Sequence, residues 1–310
     1  MVRKLKVYKN FDLKKKHQNS IILIGNFDGL HLGHQKLFKL ANKYKKKNKL
    51  KVGVITFDPI PKMFFNKKIK NYRLSNFNQK VSYLQKFNVD FIISKKFDLK
   101  FSQIKYYNFI REILFLKLKS KYIFVSNNFK FGNKRQGNVN LLKQFQNRFG
   151  YKVICPKPVF KKKKIISSTL IREYLTKGKL QNANNILNRN WCIEGIVEKG
   201  RQLGKKIGFP TCNIDIKNYV IAMPGVYSVR VLVDNEKKYK KGIANLGYRP
   251  TFRQKKILLE VNLFNFDKNI YNKKLSVEFL KFIRGEKKFS GIDSLRKQIK
   301  KDVLTAKEIK

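Results

Sequence analysis

Residues 24–38 read IGNFDGLHLGHQKLF, and this stretch decides how the first half of the chain is interpreted. It follows an apolar run, IILIG at 21–25, of strand length and β-branched composition. It leads into a segment, 32–44, whose apolar residues return at helical spacing. Gly25, Gly29 and Gly33 alternate with His31 and His34, two of the 3 histidines in 310 residues. Glycines remove Cβ atoms where a ligand must approach the backbone, and a helix N-terminus offers free N–H groups and a partial positive charge. Histidines three apart on a helical turn face one side. The combination suits the α- and β-phosphates of a nucleotide, with the imidazoles stabilising charge that develops during attack at phosphorus. A metal site would need another ligand close by. Asp28 is available, but His17 falls outside the motif, so phosphate is the better reading.

Working outward, the strand-like runs SIILIG, KVGVITF, VDFIISKKF, KYIFVSN and YKVICP are separated by helical periodicity over 32–44, 79–87, 104–118 and 139–149. Such alternation predicts a parallel sheet covered by helices, with ligands at the carboxyl ends of the strands. The glycine-histidine motif stands at one of those ends. After a lysine run at 161–164, two short helices are expected over 169–176 and 180–187, the first capped by Ser168 or Thr169. From Trp191 the texture changes to partly alternating runs with turn residues between them, and five or six antiparallel strands predict a small barrel. An amphipathic helix with Leu295, Ile299 and Val303 on one stripe closes the chain. The expected division is an α/β domain over 1–187 and a β-barrel domain with a C-terminal helix over 188–310.

Lysine and arginine number 72 against 19 acidic residues, a net charge of +53. The excess is mostly lysine, spread over the whole length and accompanied by abundant Asn, Ile, Phe and Tyr, as AT-rich codon usage produces. A specific nucleic-acid footprint would be clustered and richer in arginine for bidentate contacts, so none is expected. Cys155, Cys192 and Cys212 are odd in number and widely spaced, fitting neither a disulfide framework nor a zinc site. No apolar run approaches a membrane span and the basic N-terminus has no signal-like apolar core, so a cytoplasmic protein is expected.

A second constellation, GRQLGKKIGFPTCNI at 200–214, contains Gly200, Gly204 and Gly208, then Thr211 and Asn213. It is not a Walker A loop, because no Ser or Thr follows a lysine at the required spacing. A glycine-lined loop can wrap phosphates, and a hydroxyl with an amide oxygen can hold Mg²⁺, which keeps several waters. On composition alone a turn-rich β connection explains the stretch better.

The motifs taken in order change that balance. GNFDGLHLGH resembles the H-x-G-H signature of nucleotidylyltransferases in the form carried by bacterial bifunctional riboflavin kinase/FAD synthetases, and ISSTLIREYL resembles the family's second nucleotide motif. VSNNFKFGNKRQG resembles its segment near flavin and nucleotide, and LGKKIGFPTCN resembles the riboflavin kinase motif L-G-R-x-x-G-F-P-T-A-N. PGVYSVRV, GIANLGYRPTF and LLEVNLFNFDKNIYNKKLSVEFLKFIRGEKKF match in the same order, so the resemblance runs from near residue 5 to near 305.

The resemblance implies a Rossmann-like nucleotidylyltransferase domain followed by a riboflavin kinase barrel. It implies phosphorylation of riboflavin by ATP to FMN in the barrel, then adenylylation of FMN by a second ATP to FAD with release of pyrophosphate, both with Mg²⁺. It implies catalytic roles for His31, His34 and Arg172, and for Glu260 as the base toward the ribityl 5'-hydroxyl. Nucleotide contacts fall to Gly25, Phe27, Gly29, Gly33, Ser167, Ser168, Thr169, Gly200, Gly204 and Gly208. Flavin contacts fall to Asn128, Phe129, Phe131 and Arg284, and metal ligation to Thr211 and Asn213. The expected partners are ATP, riboflavin and FMN, on a monomer or weak homo-oligomer. The sequence departs from the family pattern at Ser126 (usually Gly), Asn128 (often Asp), Ile60 (often His), Lys205 (Arg), Cys212 (Ala), and Asn262 and Asn265 (often His and Asp). Two alternatives stand beside this reading: a riboflavin kinase with a decayed adenylyltransferase half, and a basic nucleic-acid-binding protein on the same scaffold.

Overall fold

In the first half of the chain every residue of the central strand is buried, and it is from this strand that the architecture grows. The computed structural model describes residues 5–199, 204, 207–216, 218–234, 236–250 and 255–309. Their contacts divide into two units, Met1–Lys70 with Phe77–Ile166, and Asn71–Asn76 with Ser167–Lys310.

In the first unit, β1 (Lys6–Tyr8), β2 (Ile21–Ile24), β3 (Val52–Asp58), β4 (Phe91–Lys96), β5 (Tyr122–Phe124) and β8 (Lys152–Ile154) form one sheet in the order β1-β4-β3-β2-β5-β8. All five pairings are parallel. Helices α1 (Leu32–Asn48), α2 (Pro61–Phe65), α3 (Phe77–Lys86), α4 (Leu99–Ser102) and α5 (Tyr106–Asn108) lie between these strands, with α6 (Val139–Gln144) and α7 (Gln146–Phe149) before β8.

Side chains alternate across a strand, so β2 feeds two cores. Ile21 and Leu23 join Leu37, Phe38 and Ala41 of α1 and Leu84 of α3. Ile22 and Ile24 join Phe109, Ile110, Ile113 and Leu114 on the other face. Each such aliphatic burial contributes on the order of 1.5–3 kcal/mol, which is why a strand with no polar residue is stable only between two layers. Two expected helices differ in detail. That over 104–118 starts at Tyr106 and widens into π-helix over Phe109–Lys117, all four of whose buried residues reach the core. That over 139–149 is broken at Phe145 into α6 and α7.

Within the first unit, two small hairpins follow. Short strands β6 (Lys130–Phe131) and β7 (Gly137–Asn138) pair with each other, as do β9 (Phe160–Lys161) and β10 (Lys164–Ile165).

Besides Asn71–Asn76, the second unit contains α8 (Ser168–Thr176) and α9 (Leu180–Leu187). It continues with β11 (Trp191–Glu198), β12 (Cys212–Asp215), β13 (Gly225–Val233), β14 (Lys240–Pro250), β15 (Lys255–Leu263) and β16 (Lys274–Gly285). These close into a barrel in the order β11-β12-β15-β14-β13-β16, every pairing antiparallel. Helix α10 (Ile292–Glu308) ends the chain. Closure leaves no sheet edge open. Trp191, Tyr227 and Phe279 are fully buried, with ring centroids 4.8 and 5.1 Å apart across Phe279.

Asn184 of α9 explains why the helices pack with the barrel: its amide donates to the Phe279 carbonyl at 3.0 Å and accepts from the Trp191 N–H at 2.8 Å. Compactness therefore groups α8 and α9 with the strands, whereas the change of texture after residue 187 marks where helix gives way to strand. The first helix also starts one residue earlier than its periodicity suggested. Its cap is neither Ser168 nor Thr169 but Ser167, whose hydroxyl accepts from the Leu170 N–H at 3.2 Å.

Candidate active sites

The loop between β2 and α1 stands at the carboxyl end of the sheet. It is held in conformations that side chains rarely adopt: Phe27 and Leu30 have φ of 46° and 38°, and Gly29 has 79°. Left-handed backbone at non-glycine residues costs of order 1–3 kcal/mol each and persists only where surroundings enforce it. Here they do. Phe27 and Leu30 are buried at 2% and 0% exposure, and Gln35 donates its amide to the Leu30 carbonyl at 3.0 Å.

His31 caps α1 and His34 lies in its first turn. Their rings stack face to face, with centroids 3.7 Å apart and planes 20° from parallel. Phe27 closes the other side of His34, edge-on at 5.2 Å. A Cβ on Gly33 would come within 3.1 Å of the His31 ring and 3.6 Å of the Ile166 carbonyl, and one on Gly25 within 3.2 Å of the Phe27 ring. The two glycines thus make room for the two rings.

Burial first, then the neighbouring His31 and Lys80, hold His34 well below the usual imidazole range, so it is neutral at physiological pH. Its Nδ1 is buried and without a hydrogen-bond partner. A neutral ring that carries its proton on Nε2 leaves only a lone pair in that dry environment and keeps Nε2–H as a donor.

The third histidine is elsewhere. His17 is buried against Phe91, with centroids at 4.6 Å, and its Nδ1 shares a hydrogen bond with the Tyr8 hydroxyl at 2.8 Å.

The hairpin β6–β7 presents the candidate flavin residues. Phe129 and Phe131 stack at 5.3 Å, with Phe129 half-buried and Phe131 packed into the core against Phe109. Asn128 is exposed and accepts from the Ser126 hydroxyl at 2.9 Å, so the two residues that depart from the family pattern here bond to each other. Ile60 is buried and caps α2, a packing role that a histidine would not fill as well.

In the second unit, α8 carries Ser167, Ser168 and Thr169 at its N-terminus and Arg172 one turn on. Arg172 is fixed within its own unit. Its Nε donates to the Tyr72 carbonyl at 2.7 Å and its guanidinium lies 3.7 Å above the Tyr72 ring.

The barrel brings two further candidates side by side. Asn213 on β12 pairs directly with Glu260 on β15, which faces Asn245 of β14 on its other side. Asn213 Oδ1 is buried and without a hydrogen-bond partner, and Glu260 is half-buried. Thr211 immediately precedes β12. A Cβ on Gly204 would meet the Phe209 carbonyl at 2.4 Å and the Thr211 hydroxyl at 3.1 Å, and Gly208 has φ of 87°, so both glycines serve a tight turn over Thr211. Gly200 and Lys205 of this loop lie outside the described residues. The substituted positions are filled without conflict. Asn262 donates to the Pro210 carbonyl at 2.7 Å, and burial pushes the Cys212 thiol up to about 12. An amide oxygen with no protein partner, a hydroxyl and a carboxylate form an oxygen set that fits a hard divalent cation. Among the described residues no group of three His, Cys, Asp or Glu offers an alternative metal centre.

Arg284 of β16 is clamped by Asp302 of α10. Its Nε and Nη2 both donate to Asp302 Oδ2, at 2.9 and 2.7 Å, and Gln298 donates to Oδ1 of the same carboxylate at 2.8 Å. A cavity of about 410 Å³ opens nearby between the end of β16 and the start of α10, lined by Lys287, Phe289, Ser290, Ser294 and Lys297 among others.

Sequence reasoning missed Asp302 and Lys80. Asp302 sits next to the apolar stripe of α10 and is buried at 3%, whereas Leu295, Ile299 and Val303 are only half-buried. Lys80 stands four residues before the buried Leu84, and a lysine on the apolar face of a helix was the available signal.

Two family models match the chain in succession: FAD synthetase over residues 13–170 and riboflavin kinase over 187–310. A bifunctional riboflavin kinase/FMN adenylyltransferase of Buchnera aphidicola subsp. Schizaphis graminum is 41% identical, over 96% of each chain. The chain belongs to the bifunctional riboflavin kinase/FMN adenylyltransferase family. Members bearing that name in Haemophilus influenzae and Escherichia coli K12 are 40% and 34% identical, over 94% of this chain and 94% and 93% of theirs. A solved structure described as a macrolide-efflux protein from Streptococcus pneumoniae superposes with a TM-score of 0.85 at 28% identity, covering 98% of this chain and 99% of that one. Among the described residues of this family member, no helix is long and apolar enough to cross a membrane.

Proposed function

We propose that the protein makes FMN and FAD in two steps at two sites, with residues 188–310 phosphorylating riboflavin and residues 1–187 adenylylating FMN. The observation that carries the reading is the succession of the two family models along one chain, the first spanning the glycine-histidine loop and the second spanning Thr211, Asn213 and Glu260. Near-full-length relatives of the same printed name support it.

In the barrel, Glu260 accepts the proton of the ribityl 5'-hydroxyl as that oxygen attacks the γ-phosphorus of ATP. ADP departs and FMN results. Thr211 and Asn213 would hold Mg²⁺, which supplies charge neutralisation on the phosphates. The turn containing Gly204 and Gly208 lets the backbone approach the nucleotide, and Arg284, fixed by Asp302, borders the flavin.

In the N-terminal site, a phosphate oxygen of FMN attacks the α-phosphorus of a second ATP and pyrophosphate leaves. His31 and His34 donate to the charge developing there, and Gly25, Phe27, Gly29 and Gly33 shape the loop around it. On α8 of the second unit, Ser167, Ser168 and Thr169 offer a helix N-terminus, and Arg172 a guanidinium, of the chemistry that suits a triphosphate. Asn128 and Phe129 reach the flavin from the hairpin, with Phe131 as the packed base beneath. A cytoplasmic setting fits reduced, buried thiols at Cys192 and Cys212.

The test is chromatographic: purified protein is incubated with riboflavin, ATP and Mg²⁺ while FMN and FAD are followed in time. FMN followed by FAD is expected. FMN alone makes the first unit a decayed partner of an active kinase. No conversion of flavin, with salt-sensitive DNA retention instead, favours the nucleic-acid reading.

A further inference from the structure

We propose that Lys80 is a positioning residue for the adenylyl-transfer site, anchoring the histidine loop through Thr56 and supplying the fixed positive charge of its pocket. The inference rests on the adenylyl-transfer reading of the first unit.

Of the 72 lysines and arginines in the chain, Lys80 is the only one buried among the described residues, at 3% exposure. In a protein that carries its cations on the surface, this one is set apart. Burial of an ammonium is costly unless the surroundings use it. Here it takes part in a relay. Lys80 Nζ donates to the Thr56 hydroxyl at 3.1 Å, and that hydroxyl donates to the Asn26 carbonyl at 3.2 Å. Thr56 is itself 1% exposed and stands near the end of β3, while the Gly25 N–H bonds the Ile55 carbonyl at 3.1 Å. The relay therefore ties α3 to the carboxyl ends of β2 and β3, the edge of a parallel sheet at which ligands bind. It meets the loop one residue before Phe27, where the backbone is left-handed.

The charge matters as well as the bonds. Lys80 helps hold His34 neutral, together with burial and His31. The pocket so carries a cation at Lys80 without an imidazolium at His34, which remains an N–H donor. The other titratable groups of this region are His31 on the α1 cap and Asp28 in the loop, both buried.

The experiment uses the full chain and the Lys80→Met, Lys80→Arg and Thr56→Val variants. FAD formation from FMN and ATP is measured between about pH 5.5 and 9, with FMN formation from riboflavin as the folding control and imidazole NMR titration as the second readout. With 3 histidines the spectrum is simple, and a His34→Gln variant assigns the signal. Lys80→Met is expected to lower kcat for FAD formation roughly ten- to a hundredfold while FMN formation stays within about twofold. The His34 titration should move up, and Lys80→Arg should restore most of both. Thr56→Val, which cuts the relay but keeps the charge, should lower kcat with a smaller change in the His34 titration.

The proposal is overturned if Lys80→Met leaves FAD formation and the His34 titration unchanged, or if Lys80→Arg rescues neither. Should Lys80→Met fail to fold, Lys80→Arg and Thr56→Val decide by the same two readouts. A wild type that makes no FAD would defeat the adenylyl-transfer reading, whereas the His34 titration in the variants would still judge the coupling to Lys80.

Discussion

The two constellations solve opposite electrostatic problems with opposite chemistry. In the first unit the candidate site is made of nitrogen: stacked imidazoles, glycine-loop amides and a buried ammonium, in backbone that burial and hydrogen bonds keep in place. In the barrel it is made of oxygen: an amide carbonyl with no partner and a carboxylate on paired strands whose backbone is regular, with a hydroxyl just before the first of them. Attack by one phosphate on another brings two anions together, so that site must be built of donors. Attack by an alcohol needs a proton acceptor and a cation to shield the phosphates, so that site must be built of acceptors. The difference also predicts tolerance: a strained loop fails by losing shape, a strand pair by losing a functional group.

The sharpest break between the two is Glu260→Gln, which keeps shape and hydrogen bonding but removes the base. FMN formation should fall by about a hundred- to ten-thousandfold. FAD formation from supplied FMN should persist within about twofold. A matching loss in both steps would show that the two sites are not chemically independent.

Next comes the complementary variant. His31→Ala or His34→Ala should lower FAD formation by about a hundred- to a thousandfold and leave riboflavin phosphorylation intact, so that product analysis shows FMN accumulating. Because the rings stack, the double variant should cost little more than either single one. Fully additive losses would mean that each histidine works alone.

How much of this was legible in the sequence follows from the same contrast. The parallel sheet was readable because β2 is apolar throughout and α1 has helical spacing, and the barrel because its strands alternate between turns. The histidine pair announced itself by rarity and by its glycines. Lys80 and Asp302 did not, since one more lysine among 72 cations or one aspartate on a surface helix is unremarkable until burial is known. Ser167 as the cap of α8 was missed by one residue, because three successive hydroxyl residues can each cap and only backbone geometry chooses. The pairing of Asn213 with Glu260 depends on strand register across 47 positions, which no local pattern encodes.

A stability comparison comes third. Asp302→Ala strips the partner from Arg284 and leaves a guanidinium largely buried, which should cost about 3–5 kcal/mol in denaturant unfolding of the barrel. The Arg284→Met, Asp302→Leu pair should recover much of that loss while leaving riboflavin affinity impaired. If the double variant binds riboflavin normally, Arg284 serves the fold and not the flavin.

The smallest effect is a pH dependence confined to the first unit. His34 sits below its ordinary value in the folded protein, through burial first and then His31 and Lys80. Above about pH 6.5 the ring is neutral in both folded and unfolded chains and contributes nothing to the pH dependence of stability. As pH falls below that value the unfolded chain takes up a proton that the folded chain refuses, so unfolding is favoured, by up to about 1.4 kcal/mol for each unit of pH until the folded ring also titrates. Urea unfolding of wild type and His34→Gln at about pH 7.5, 6.5 and 5.5 isolates the term, because His17 and the carboxylates are common to both chains. The difference between the two should be flat above pH 6.5 and should shift in favour of His34→Gln below it. Equal slopes would mean that His34 takes up its proton as readily in the folded protein as in the unfolded one. The nitrogen-built site would then work with a charged imidazole, and the fixed cation at Lys80 would lose its purpose.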